Sequence, residues 1–104
     1  MPQLATQSEI ESFLDLDANW SRNESSLTAQ FTAPSFLAAI ELVNAVAVIA
    51  EELDHHPDID IRWNKVSFAL STHSAGGITS LDFDLATAID VAANKIIGGL
   101  NGGL

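Results

Sequence analysis

The stretch from Phe36 to Ala50 restricts how this chain can fold more than any other segment. Glu41 and Asn44 alone interrupt its run of Phe, Leu, Ala, Ile and Val. It is too short to cross a bilayer, whose hydrocarbon core asks for about 20 apolar residues. Phe36, Ile40, Val43, Ala47 and Ala50 recur at helical spacing and form one stripe, which Leu37, Leu42, Val46, Val48 and Ile49 widen. A helix with so little polar face needs cover on more than one side. In a chain of 104 residues, a second copy of the chain is the expected source of part of that cover. Thr32 and Pro34 open this longest helix, since proline is tolerated in a first turn. Pro57 ends it near Asp54, because the residue before a proline is pushed out of helical geometry.

Shorter elements flank it. Thr6-x-x-Glu9 has the form of a capping box, and Ile10, Phe13 and Leu14 follow at helical spacing, giving a first helix from about Gln7 to Leu16. Trp20 to Arg22 and Leu27 to Phe31 read as two short strands around a polar turn at Asn23-Glu24-Ser25. After the long helix, Ile59, Ile61 and Trp63 alternate with Asp60 and Arg62. Asn64-Lys65 makes a two-residue turn, and Val66, Phe68, Leu70 and Thr72 continue the alternation as a hairpin. Gly76-Gly77 breaks that strand, which His73 ends. Thr79 caps a final helix with Asp82 at its third position, and Leu85, Ile89, Ala92 and Ile96 form its buried stripe. The order α-β-β-α-β-β-α predicts an α+β fold, a four-stranded antiparallel sheet with three helices packed on one face. Residues 1–97 make one domain, and residues 98–104 a flexible Gly-rich tail.

Composition removes whole classes of function. Four basic residues against fourteen acidic ones give a formal charge of −10. Such a chain has no basic surface to neutralise phosphates, so neither nucleic acid nor an anionic membrane is an expected partner. No cysteine is present, which excludes disulfides and thiolate metal sites. Met1 to Thr6 has no basic run leading into an apolar segment, so a soluble cytoplasmic protein is expected.

All three histidines fall in one constellation flanked by acids: Glu51, three residues, His55-His56-Pro57, five residues, Trp63, nine residues, His73, eight residues, Asp82. Histidine, with an ordinary pKa of about 6.5, both gives and takes protons near neutrality. His55 and His56 lie just past the long helix, His73 at a strand end and Asp82 at a helix start, so they can converge on one edge of the sheet. Glu51 sits one helical turn before His55 and can face the same pocket. Taken singly, each residue has a plainer reading. A His-His pair after a helix is often a cap or surface feature, Trp63 a sheet residue covering the core, and Asp82 a helix cap. A zinc site is a further alternative, but His55 and His56 are adjacent on an extended segment and point to opposite sides, which makes them poor joint ligands. No metal is expected.

The full spacing resembles the signature of the pterin-4a-carbinolamine dehydratases, with Glu51, His55, His56, Pro57, Trp63, His73 and Asp82 in register and no gap adjusted. At about one in twenty per position, the four fixed His and Pro identities arise by chance on the order of 10⁻⁵ per starting point. The likeness covers roughly residues 4 to 97, and Glu51 to Asp58, Trp63 to Val66 and Ser71 to His73 carry it most strongly. Before Trp20 the chain has Asn19, where that family often has Gly. The resemblance implies dehydration of 4a-hydroxytetrahydropterin to quinonoid dihydropterin and water, recycling the tetrahydrobiopterin used by aromatic amino acid hydroxylases. It implies a catalytic set of His55, His56 and His73, in which His55 and His73 form the acid/base pair and His56 chiefly holds the substrate. Glu51, Asp54, Pro57 and Asp82 would orient the imidazoles or bind the pterin, and the backbone near Thr72, Ser74 and Ala75 would meet its polar edge. The pterin is the substrate, and no cofactor is implied. A homodimer or homotetramer is implied, and a non-catalytic dimerisation or assembly role on the same fold is the alternative.

Overall fold

The computed structural model describes residues 3–98. The elements run α1 (Gln7–Leu16), β1 (Ser21–Asn23), β2 (Ser26–Thr32), α2 (Phe36–Leu53), β3 (Asp58–Arg62), β4 (Lys65–Leu70) and α3 (Ser80–Ile97). The order and the α+β class are those the sequence predicts. The strands lie β1-β2-β4-β3, each antiparallel to its neighbour. β2 and β3 are therefore parallel to each other, and α2 crosses between them while β4 fills the gap.

Alternation decides which face of the sheet is covered. Leu27, Ala29 and Phe31 of β2 and Val66, Phe68 and Leu70 of β4 are buried beneath the helices, while Gln30 on the opposite face of β2 is exposed. Edge-to-face contacts link Trp20 to Phe31 (6.3 Å) and Phe31 to Phe68 (5.9 Å). Each fully buried side chain of this size contributes about 1.5–3 kcal/mol by leaving water. Leu42 and Val46 of α2 and Leu85 and Ile89 of α3 close the core from above.

Several boundaries differ from the expectations, each for a local reason. The cap of α2 is Ser35, whose hydroxyl accepts the Ala38 N–H at 3.0 Å, so Thr32 and Pro34 lie before the helix. The chain there is held extended: Ala33 N–H donates to the Asn64 carbonyl, and the Asn64 amide donates back to the Ala33 carbonyl, both at 2.8 Å. The buried line on α2 is Ala39, Leu42, Val46 and Ala50, whereas Phe36 and Ala47 are exposed. A helix apolar around its girth does not announce its inward phase, and the small Ala38 and Ala39 side chains let this face approach the sheet. Nor is α2 the longest helix, since α3 matches it at 18 residues.

The β3–β4 turn is Trp63-Asn64, with Arg62 paired to Lys65, one residue earlier than expected. Trp63 therefore leaves the sheet: it takes a left-handed φ of 56°, is 71% exposed, and stacks flat on Phe36 at 6.5 Å. It does not cover the core. The first strand also starts later, at Ser21, leaving Trp20 buried in front of it. β4 stops at Leu70, so His73 stands in the following turn rather than at a strand end. Gly98 is the C-cap of α3, and the rest of the expected tail lies outside the described residues.

Asn19 joins an acidic cluster at Asp90, midway along α3. Its amide donates to Asp90 Oδ1 at 3.1 Å, and the Trp20 indole N–H donates to the same oxygen at 2.9 Å. Burial pushes the Asp90 carboxyl up from 3.8 to about 7, and the neighbouring Asp17 pushes in the same direction by accepting its proton and by charge. Folding therefore takes up a proton in that window: the stabilisation is complete below 3.8 and is lost as pH rises through about 7. Urea midpoints of the parent chain are expected to fall between pH 5 and pH 8, and Asp90→Asn should flatten that fall. Parallel slopes for the two proteins would contradict the assignment.

Candidate functional site

The end of α2 aims the first imidazole. Asp54 caps the helix in a left-handed conformation (φ 52°, ψ 45°), which Asp tolerates better than most residues. Its N–H bonds back to the Ala50 and Glu51 carbonyls, and the next N–H, of His55, also reaches Ala50, at 3.0 Å. The chain thus reverses, and the His55 ring is carried inward until its side chain is 11% exposed. There its Nε2 meets Asp82 Oδ1 at 2.6 Å.

Asp82 is fully buried at the start of α3. Its Oδ2 accepts the Thr79 N–H and the Thr72 hydroxyl, both at 2.9 Å. The two threonine hydroxyls lie 2.7 Å apart. Thr72 is held in place by its N–H bond to the Gly77 carbonyl at 2.8 Å. The Thr72 carbonyl accepts the N–H groups of Ala75 and Gly76, so residues 73–76 form a tight turn, with Gly76 at φ 80°. His73 and Ser74 are displayed, exposed, on that turn, and the His73 imidazole makes no hydrogen bond among the described residues.

His56 turns the other way. Its Nε2 lies 2.6 Å from Glu51 Oε2, with side chains 56% and 77% exposed respectively. Asp54 is exposed beside this pair, and Pro57 is half-buried as the chain enters β3. The structure therefore brings His55, Thr72 and Asp82 into direct contact, and sets Glu51 with His56 on an outer flank. His73, Ser74 and Ala75 stand on the turn that Thr72 begins. Thr79 is a member of this network that the sequence suggested only as a cap. Its spacing to Asp82, three residues apart in a capping box, was the available signal. A cavity of about 590 Å³ lies between α2 and α3, and one of about 440 Å³ on the open face of the sheet. Neither of these two is lined by a histidine.

The family model described as pterin 4 alpha carbinolamine dehydratase matches residues 3–92. The chain belongs to this family. A relative from Roseiflexus castenholzii, provisionally named a pterin-4-alpha-carbinolamine dehydratase, is 50% identical over 90 residues, covering 86% of this chain and 97% of its own. One from Nocardia farcinica with the same provisional name is 48% identical over 91 residues, covering 88% and 96%. The crystal structure of a transcriptional coactivator/pterin dehydratase from Brucella melitensis superposes with a TM-score of 0.84 at 31% identity, covering 88% of this chain and 99% of that one. A pterin dehydratase-like protein identified as a RuBisCO assembly factor in the alpha-carboxysome shares the fold at TM-score 0.59 and 21% identity, covering 71% and 86%.

The two histidine–carboxylate pairs in this dehydratase-family chain have equal lengths and unequal surroundings, and that difference sets their worth. Removing a partner from a buried pair strands the other, whereas an exposed pair is screened by water. Asp82→Ala is expected to cost about 3 kcal/mol or more, and Glu51→Ala less than about 1 kcal/mol. Urea denaturation of the two variants at pH 7 measures this, and similar losses would refute the distinction.

Proposed function

We propose that this chain dehydrates 4a-hydroxytetrahydropterin. In that reaction the carbon–oxygen bond at C4a breaks and the hydroxyl departs with an added proton as water. A ring nitrogen releases its proton, and a carbon–nitrogen double bond forms. No electron changes hands, and acid/base groups suffice. His55 and His73 act as the acid/base pair and His56 holds the pterin. Glu51, Asp54, Pro57 and Asp82 orient these rings or bind the substrate, with the chain around Thr72, Ser74 and Ala75 at its polar edge.

The observation that carries this reading is the His55–Asp82 contact, a family-signature imidazole pinned against a fully buried carboxylate and backed by the intact His56 and His73. The provisional names of the relatives support it as well. Such acid/base assistance contributes roughly 10²–10⁴-fold to a rate. His55→Ala and His73→Ala should each slow carbinolamine dehydration within that range while circular dichroism stays unchanged. Full activity in both variants would remove them from the mechanism. On this reading the chain acts after an aromatic amino acid hydroxylase, in pterin recycling in the cytoplasm, with a small-molecule partner and neither nucleic acid nor membrane. Among the described residues no helix is long and apolar enough to cross a membrane.

A second reading, a dimerisation or assembly module, is favoured by one observation. Leu37, Val48 and Val91 are 70%, 59% and 53% exposed, and the latter two line the apolar groove between α2 and α3. We take this face to be covered by further copies of the chain. Sedimentation at micromolar concentration should give a dimer or tetramer that Val48→Asp dissociates. A monomeric parent chain would contradict this.

A further inference from the structure

Asp82 has two oxygens in different company, and the hydrogen count around them fixes a direction. A carboxylate only accepts, so every polar neighbour within bonding distance must donate. Thr72 has one hydroxyl hydrogen and gives it to Oδ2 at 2.9 Å. Across the 2.7 Å contact between the hydroxyls, Thr79 must then donate to Thr72. The Thr79 oxygen in turn accepts the Leu81 N–H at 3.2 Å. The relay runs from the Leu81 N–H through Thr79 and Thr72 to Oδ2, where the Thr79 N–H adds a second donor. Thr72 is 3% exposed and Thr79 fully buried, so water does not compete for these bonds.

With Oδ2 supplied twice, Oδ1 has His55 Nε2 as its partner, at 2.6 Å. The hydrogen in that contact comes from the imidazole, because the carboxylate has none to give. A neutral His55 then carries its proton on Nε2 and its lone pair on Nδ1, since the bond at one ring nitrogen sets the tautomer at the other. Nδ1 makes no hydrogen bond among the described residues.

We propose that Thr72 and Thr79 are positioning residues that act through Asp82 to hold neutral His55 as its Nε2–H tautomer, so that Nδ1 is the atom exchanging a proton with the pterin. This inference rests on the dehydratase reading. The buried carboxylate holds the charge of the imidazolium that forms, which suits His55 to take the proton from the ring nitrogen. The hydroxyl leaves with a proton from His73, and the carbon–nitrogen double bond forms as the carbon–oxygen bond breaks. Water is the net loss, and solvent returns the proton from His55 to His73.

Nitrogen-15 spectra of the imidazoles, run beside the dehydratase assay, test the proposal. In the unaltered chain the neutral His55 ring should show a protonated Nε2 and an unprotonated Nδ1. Thr72→Val, which keeps the shape and removes the donor, should let the Asp82 carboxylate rotate away from Nε2, giving a mixture of tautomers and lowering kcat by about 10-fold or more with KM within about twofold. Thr72→Ser, which keeps the hydroxyl, should restore both readouts. A protonated Nδ1 in the unaltered chain overturns the proposal whether or not the valine variant folds. So does a valine variant with parental tautomer and kcat. A chain without dehydratase activity would instead fail the functional reading, while the nitrogen spectra would still decide whether the relay sets the ring.

Discussion

Asp82 is buried among residues drawn from three distant parts of the chain: the end of α2, the exit from β4 and the start of α3. A carboxylate in that position is costly unless each oxygen has donors, and here each does. The requirement runs outward from it. Thr79 must cap α3 so that its N–H faces inward, Thr72 must bridge to Gly77 so that its hydroxyl does, and Asp54 must turn left-handed so that His55 arrives from above. The sheet and the two long helices form a frame whose three ends meet at this one charge.

Burial divides the histidines into two kinds. His55 is sheltered against a fully buried carboxylate, while His56 and Glu51 share a contact of equal length in open water. His73 stands on a turn whose own bonds are used to hold its shape. Adjacent residues in sequence thus occupy sites of different electrostatic strength, and the split follows from the alternation of an extended chain as it leaves a helix.

Much of this was legible in the residues. Period and caps located all seven elements, and Thr6, Thr79 and Asp82 took the capping positions their spacing indicated. What could not be read was phase and register. The side of α2 that turns inward is chosen by Ala38, Ala39 and Ala50, small residues whose value depends on what lies opposite. The β3–β4 turn is displaced by the Asn64–Ala33 bonds, a contact between segments far apart in the chain, and that displacement puts Trp63 outside. The convergence of His55 with Asp82 was anticipated from element ends. The two threonines that complete it were not, because a hydroxyl announces a cap more readily than a buried relay. The Asp90 cluster gave no periodic signal at all.

The split crossover has a consequence for biosynthesis. β4, which joins β2 to β3, is the last strand to be made. A nascent chain emerging through Leu53 holds a lone β1–β2 ribbon and a greasy helix with no sheet wide enough to receive it, and β3 adds no pairing of its own. Closure waits for Lys65–Leu70 to slot into the middle, and the partners of His55 arrive later still, with α3. Such long-range pairing folds slowly and leaves apolar surface uncovered in the interval. Translation speed through the second half of the message, and holdase chaperones at the tunnel exit, therefore bear on the yield of this small domain.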